Sequence, residues 1–113
     1  VGEVIELEEK LFSAFSVIAS CSPAYTLLYV DALAQAGVQF GIPKPLALKI
    51  ASQAVLGTTR LLQETGEHPR ALADQVCSPG GTTIAGVCSL QKDAFEAAVV
   101  AAAQASLDRD KQL

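Results

Sequence analysis

Residues 22–41 read SPAYTLLYVDALAQAGVQFG, and we predict a helix over residues 23–40. Ser22 suits its N-cap, Pro23 suits its first position, and Gly41 is placed to end it. Its few polar side chains form one narrow stripe at a spacing of four: Asp31, Gln35 and Gln39. A helix that is apolar on its other sides must be buried on most of them. A domain of this size has few central positions, so we expect a second copy of the chain to cover part of this helix.

The composition limits the classes of protein that this chain can represent. Its 113 residues make one domain; half are hydrophobic and 18% are charged, which excludes a disordered tail. The 12 acidic residues outnumber the 8 basic ones, and the net charge of −4 argues against a sequence-independent nucleic-acid binder. No uninterrupted apolar run has membrane-spanning length, so we expect no membrane span. The chain starts at Val1 with no signal peptide, which favours a segment of a longer protein.

Helical periodicity continues on both sides of the central helix. We predict further helices over residues 4–19, 44–64, 69–77, 82–90 and 93–109. The 19 alanines and the lack of Trp and Met indicate helices that pack closely, with few bulky side chains between them. We expect Gly37 and Gly57 to permit such close approach and Gly66 to end the third helix. No stretch alternates as a strand does, so the predicted class is all-α, a bundle of about six helices.

Two groups of residues raise the question of a metal site or a disulfide. Four acidic side chains crowd the start of the first predicted helix: Glu3, Glu6, Glu8 and Glu9. A helix N-terminus favours negative charge, so we interpret them as a solvated helix start and predict no metal site. The three cysteines include no C-x-x-C pair: Cys21, Cys77 and Cys88. We interpret them as small buried apolar residues of a protein in the reducing cytoplasm.

The candidate site is the segment Ser78-Pro79-Gly80-Gly81-Thr82-Thr83, which we call the 78–83 loop and which leads into a predicted helix. Its two glycines allow a sharp turn and the close approach of a ligand. The helix start offers unpaired N–H groups and a partial positive charge, which bind carboxylate or phosphate. The hydroxyls of Ser78, Thr82 and Thr83 add donors. The loop has no lysine and is not a Walker A motif, so two interpretations remain: a small-anion site or a helix connection with a threonine cap.

Three further residues carry weaker signals. His68, the one histidine, precedes a predicted helix, and we interpret it as a turn or capping residue rather than a general acid. Tyr25 lies on the apolar helix, and we interpret it as a core residue rather than a ligand contact. Asp31 fits two interpretations equally, a buried acid or a member of the polar stripe.

The loop and its surroundings resemble a known family. Residues 74–86, DQVCSPGGTTIAG, look like the signature of pyrroline-5-carboxylate reductase. Upstream segments resemble the same family in the same order: Ser22-Pro23-Ala24-Tyr25, Asp31-Ala32-Leu33, Gly37-Val38, Gly41-Ile42-Pro43, Gln53-Ala54-Val55-Leu56-Gly57 and His68-Pro69. The resemblance implies the last step of proline biosynthesis, in which NADPH or NADH reduces 1-pyrroline-5-carboxylate to L-proline.

The resemblance also implies what this chain contributes. In the family, a preceding Rossmann domain binds the nicotinamide cofactor, and these 113 residues contain no strand–glycine-loop–helix unit. Residues 1–113 therefore resemble the C-terminal dimerisation and substrate-binding domain, whose fold is an interleaved helical homodimer of the 6-phosphogluconate-dehydrogenase C-terminal-like type, alone or within a larger homo-oligomer. Carried over by position, five residues surround the substrate carboxylate: Ser78, Gly80, Gly81, Thr82 and Thr83. The resemblance assigns no catalytic side chain and no metal to this part.

The sequence departs from the family pattern at two places. Cys21-Ser22 stand where the family usually has a glycine-rich approach to the Pro23 segment. Some members carry a carboxylate two residues before the His-Pro pair, where this chain has Gly66. Whether Glu64, Glu67 or His68 contacts the substrate therefore stays open.

Two other functions compete with this interpretation. One is a stand-alone helical module that dimerises or binds a small carboxylate without catalysis. The other is the C-terminal domain of a different β-hydroxyacid-type dehydrogenase. Such enzymes usually place a catalytic lysine on a central helix, whereas Lys44 and Lys49 lie at the start of the third predicted helix, so we rank this function low.

Overall fold

A computed structural model describes residues 6–113 of the chain. Its helices are, in order, α1 (Phe12–Ser16), α2 (Ser22–Gln39), α3 (Lys44–Thr65), α4 (Pro69–Gln75), α5 (Thr82–Lys92) and α6 (Phe95–Gln112). A 3-10 turn, Glu9–Leu11, precedes α1, and a π-helical turn, Val17–Cys21, joins α1 to α2. Residues 6–113 include no strand, and the all-α prediction is confirmed.

The start of the first helix differs from the prediction. Helical structure begins at Glu9, so Glu6 and Glu8 precede it, and only Glu9 lies in its first turn. Glu3 and the predicted helix start at residue 4 lie outside the described residues. Lys10 forms an ion pair with Glu8 at 3.3 Å, with both side chains exposed. The acidic side chains that the structure describes are therefore solvated.

The predicted break before α2 is wrong. Helical backbone continues from Glu9 to Gln39, and Ser22 has helical backbone angles rather than those of an N-cap. The Ser22 hydroxyl donates a hydrogen bond to the carbonyl oxygen of Ile18. Pro23 has no N–H and would ordinarily break the helix at this point. The π-helical turn immediately before it changes the hydrogen-bond ladder locally, which lets the helix pass through the proline.

The connection between α2 and α3 confirms two glycine predictions. Gly41 has a left-handed backbone (φ +99°), and its N–H donates to the Val38 carbonyl oxygen at 3.0 Å. The Ile42 N–H donates to the Gly37 carbonyl oxygen at 2.9 Å, which completes a Schellman motif. A Cβ placed on Gly37 would lie 3.1 Å from the Cβ of Ala47, so Gly37 lets α2 and α3 approach closely.

The other two glycine predictions have different outcomes. Gly66 ends α3 with a left-handed backbone (φ +66°) and donates its N–H to the Leu62 carbonyl oxygen at 3.0 Å, as expected. Gly57 is different, since a Cβ placed there meets nothing within 4 Å. The expected close crossing at Gly57 is therefore not formed within the described chain.

The chain divides into two compact units, and the first is formed by the two ends of the chain. It combines residues 6–26 with Phe95–Leu113. Val17 is its buried apolar residue, and Tyr25 is half-buried. The Tyr25 hydroxyl donates to the Ala102 carbonyl oxygen at 3.2 Å and shares a second hydrogen bond with the Ser106 hydroxyl. Tyr25 thus bonds to α6, but its side chain is half-buried, so its interpretation as a core residue is not confirmed.

The second unit, Leu27–Ala94, has a core made of small residues. Its buried apolar residues are three alanines, Ala34, Ala47 and Ala51. Leucines on α2 stay in solvent: Leu27 is 69% exposed and Leu28 is 72% exposed. Much of the apolar surface of α2 is therefore left exposed within the described chain.

The continuous helix from Glu9 to Gln39 bears on the prediction of no membrane span, which nothing in the described chain tests. By length and composition alone it is long and apolar enough to cross a membrane. Ser, Thr and Pro residues interrupt its apolar residues, so the segment holds no uninterrupted apolar run, although these residues are compatible with a membrane helix. Buried helices of soluble assemblies meet the same criterion, so the helix by itself does not distinguish a bilayer from a protein partner.

A pair of valine substitutions tests the close approach of α2 and α3. Gly37→Val should lower the free energy of unfolding by about 1–3 kcal/mol, because the new side chain meets Ala47. Gly86 lies inside α5 with nothing within 4 Å of a Cβ placed there. Gly86→Val is therefore the matched control and should change stability by less than about 0.5 kcal/mol. Urea unfolding at one protein concentration measures both; equal losses would contradict the close approach.

Candidate anion-binding loop

Helix α4 leads the chain into the 78–83 loop, and His68 caps its start. The Nδ1 atom of His68 accepts a hydrogen bond from the Arg70 N–H at 3.0 Å, and Pro69 occupies the first helical position. The Leu72 N–H donates to the His68 carbonyl oxygen at 3.2 Å. The interpretation of His68 as a capping residue is confirmed.

The loop itself is a tight turn that glycine makes possible. The Gly81 N–H donates to the Ser78 carbonyl oxygen at 3.0 Å, and Gly80 has a left-handed backbone (φ +68°). Proline at the second position and glycine at the third are typical of a type II turn. A Cβ on Gly81 would lie 3.2 Å from the Ser78 carbonyl oxygen, so a side chain there would displace the backbone. The two glycines are needed for different reasons, Gly80 for its backbone angle and Gly81 for space.

The turn delivers the chain to the start of α5 without a side-chain cap. Gly81 is the N-cap residue, its backbone is extended, and no side chain accepts a hydrogen bond from the first amides. The first backbone bond of the helix runs from the Ala85 N–H to the Gly81 carbonyl oxygen at 3.4 Å. Helix geometry leaves the amides before Ala85 without helical acceptors. A threonine cap is wrong, because glycine occupies that position, but the loop does form the connection between α4 and α5.

The structure places the five predicted site residues in the turn and in the first two positions of α5. Ser78, Gly80, Thr82 and Thr83 are exposed, and Gly81 is half-buried. Three hydroxyl groups and the first amides of α5 are the available donors, and the helix end adds partial positive charge. The 78–83 loop contains no ionisable side chain. It can therefore bind and orient a small anion, but it supplies no acid, base or charged nucleophile of its own.

Asp31 belongs to the polar stripe and is not a buried acid. Its side chain is 62% exposed, and its Oδ1 lies 2.9 Å from the Lys44 Nζ. The same Nζ donates to the Gln35 Oε1 at 3.2 Å. Lys44 thus joins two members of the stripe across the connection between α2 and α3. An exposed pair of this kind contributes little to stability, so these residues form a solvated surface.

One interaction near the loop has no sequence signal. The Gln75 Nε2, at the end of α4, donates to the Glu67 Oε2 at 3.3 Å, and Glu67 lies just before that helix. The two residues are eight apart in the chain, which matches no helical contact spacing. Only the length and direction of α4 bring them together. Glu64 is exposed at the end of α3.

The acidic side chains and the cysteines are the residues that raise the question of a metal site or a disulfide. Among the described residues, no group of three or more His, Cys, Asp or Glu side chains could hold a metal ion. All three cysteines are free thiols, with Cys21 and Cys77 half-buried and Cys88 exposed. The interpretation of all three as buried residues is therefore wrong, most clearly for Cys88, which α5 turns toward solvent.

Comparison with known proteins identifies the family. The family model for pyrroline-5-carboxylate reductase dimerisation matches residues 9–113. The chain belongs to this family. A curated pyrroline-5-carboxylate reductase from Synechocystis is 46% identical over all 113 residues, which cover 42% of that protein. The resemblance in sequence is thus confirmed, and it outweighs the alternative of another β-hydroxyacid-type dehydrogenase.

Solved structures of pyrroline-5-carboxylate reductases share the fold. The enzyme from Streptococcus pyogenes matches with a TM-score of 0.96 and 42% identity, covering 99% of this chain and 43% of that one. The enzyme from Plasmodium falciparum, solved with NADP bound, matches with a TM-score of 0.92 and 31% identity, covering 98% of this chain and 42% of that one. The chain spans about two fifths of the length of these relatives.

The turn geometry makes a prediction at Gly80. Gly80→Ala should destabilise the turn by about 1–2 kcal/mol, because alanine pays a steric penalty in the left-handed region. Gly80→Asn should cost less, since asparagine tolerates this conformation better. Hydrogen exchange of the Gly81 amide, which is bonded to Ser78, measures the effect directly. Unchanged protection of that amide in Gly80→Ala would show that the turn does not depend on glycine.

Proposed function

We propose that this chain is the dimerisation and substrate-carboxylate-binding part of a pyrroline-5-carboxylate reductase. The whole gene product would reduce 1-pyrroline-5-carboxylate to L-proline with NADPH or NADH. One observation supports the binding role above all: the turn at Gly80 and Gly81 presents the uncapped start of α5 together with three hydroxyl groups. Membership of the reductase family supplies the reaction, and the loop supplies a means of holding its anionic substrate.

The proposed role of the loop is to bind the carboxylate and orient the ring. The first amides of α5 and the hydroxyls of Ser78 and Thr83 would donate hydrogen bonds to the two carboxylate oxygens. A hydrogen bond to a charged group contributes about 1.5–3 kcal/mol, so a few of them hold a small ring in one orientation. A fixed orientation places the imine carbon toward the reductant, which is catalysis mainly by positioning.

The nicotinamide cofactor would bind to a part of the gene product other than residues 6–113. A Rossmann site requires strands with a glycine-rich turn, and residues 6–113 are helical without strands. When bound, the cofactor supplies the hydride. The described residues would bind the substrate and orient it. The remaining three fifths of the reductase would bind the nucleotide.

The proposal includes a homodimer that covers α2. Leu27 and Leu28 are more than two-thirds exposed in the chain, and exposed leucines gain roughly 1.5–3 kcal/mol each on full burial. The family model that matches this chain is itself named for dimerisation. A second copy of the chain therefore explains the long apolar helix without a membrane.

The binding role predicts the behaviour of one threonine. In the full-length gene product, Thr83→Ala should raise the KM for 1-pyrroline-5-carboxylate by about tenfold, the equivalent of one charge-assisted hydrogen bond, with little change in the KM for NADPH. Cofactor oxidation followed at 340 nm measures both constants. Ser89→Ala, an exposed hydroxyl later on α5, is the matched control.

Each outcome of this assay has a distinct meaning. An unchanged KM in Thr83→Ala would remove Thr83 from the site. No oxidation of NADPH or NADH above background by the wild type would contradict the reductase itself. In that case, retention of proline binding would favour the stand-alone carboxylate-binding module.

The dimer predicts the effect of a charge on α2. Light scattering should give the 113-residue chain at least twice its monomer mass of 11.7 kDa at micromolar concentration. Leu28→Asp should shift that equilibrium strongly toward monomer, whereas Gln39→Glu, on the polar stripe of the same helix, should not. A stable, monodisperse wild-type monomer would exclude the dimer, and flotation with lipid vesicles would show that a bilayer covers the helix instead.

A further inference from the structure

Helix α4 is fastened at both of its ends by side chains. At its start, the His68 Nδ1 accepts the Arg70 N–H at 3.0 Å. Along its length, Glu67 before the helix and Gln75 at its last turn are joined by a hydrogen bond of 3.3 Å. A helix of seven residues is too short to be stable through its backbone bonds alone. These two side-chain interactions therefore add to the packing of the half-buried Leu72 and Ala73 in ordering α4.

Short-range hydrogen bonds connect the end of α4 to the 78–83 loop. The Val76 N–H donates to the Ala73 carbonyl oxygen and the Cys77 N–H to the Asp74 carbonyl oxygen, both at 3.1 Å. The next residue is Ser78, whose carbonyl oxygen accepts the Gly81 N–H at 3.0 Å. Only Val76 and Cys77 separate α4 from Ser78, and both donate backbone hydrogen bonds into α4. We therefore expect a change in the order of α4 to reach the turn and the start of α5.

We propose that His68 is a positioning residue for the carboxylate-binding loop and that it acts through α4. This inference rests on the proposed function of the loop. His68 caps the helix, the capped helix fixes Cys77 and Ser78, and Ser78 fixes the turn that exposes the α5 amides. Because Nδ1 is the acceptor in this cap, the neutral ring carries its proton on Nε2. His68 works in this role as a hydrogen-bond acceptor, and proton transfer is not part of it.

Two substitutions at His68 distinguish a role as a helix cap from a role that needs the imidazole ring itself. His68→Ala removes the acceptor and should raise the KM for 1-pyrroline-5-carboxylate by about fivefold, the typical effect of a lost N-cap, with kcat and the KM for NADPH nearly unchanged. His68→Asn keeps a side-chain acceptor at a position where asparagine is a preferred cap. It should restore the KM to within about twofold of wild type.

A second variant controls for general loss of stability. Gly41→Ala strains the left-handed end of α2, which has no part in α4 or the loop. It should lower the melting temperature of the full-length enzyme at least as much as His68→Ala without raising the KM. Hydrogen exchange provides a readout that does not need activity: in His68→Ala the amides of Cys77 and Gly81 should exchange about fivefold faster, and in His68→Asn they should not.

The outcomes distinguish this inference from the proposed function. If Thr83→Ala raises the KM and His68→Ala leaves both the KM and amide exchange unchanged, the loop binds substrate but His68 does not position it. If His68→Asn is as impaired as His68→Ala, the ring is needed for itself and the capping role is wrong. If the wild type has no reductase activity, the proposed function fails, and amide exchange still decides whether His68 orders the loop.

Discussion

Helix α2 carries apolar side chains on nearly all sides. Residues 6–113 of one copy bury only part of them, so the rest need a second surface to cover them. The close contact that α2 does make, through Gly37 against Ala47, uses the two smallest side chains. Small residues let two helix backbones approach, but they bury little area, so the leucines around them stay exposed. The dimer that we propose follows from this imbalance, and it links the stability of the domain to its assembly.

The 78–83 loop, in contrast, depends on contacts between residues that are close together in the sequence. A turn of four residues, an N-cap without a side chain and the first turn of α5 define its donors. Such geometry is encoded by glycine and proline placement rather than by the core. This explains how the loop that we propose to bind a carboxylate can keep its shape on a helical scaffold whose interior is poorly filled within one chain.

Prediction from the sequence succeeded where a backbone conformation strongly favours a single residue type. Gly41, Gly66 and Gly80 all have the left-handed backbone that a helix end or a tight turn requires. It failed at Ser22-Pro23, where the residues of a helix start lie inside a continuous helix. The π-helical turn that accommodates the proline depends on the packing of the preceding helical turns, and no local signal distinguishes it from a break. Similarly, the Glu67–Gln75 hydrogen bond spans eight residues and has no periodic signature.

The sequence by itself determined the helical class, the helix ends at Gly41 and Gly66, the capping role of His68 and the position of the tight turn at Gly80. Each of these follows from interactions between residues close together in the chain, and local chemistry is sufficient to specify them. Tertiary structure decided which glycine permits a close helix contact, why Tyr25 bonds to α6 and how both ends of α4 are held. Those features join residues that are distant in sequence or depend on helix direction, and only the packed chain brings such groups within bonding distance.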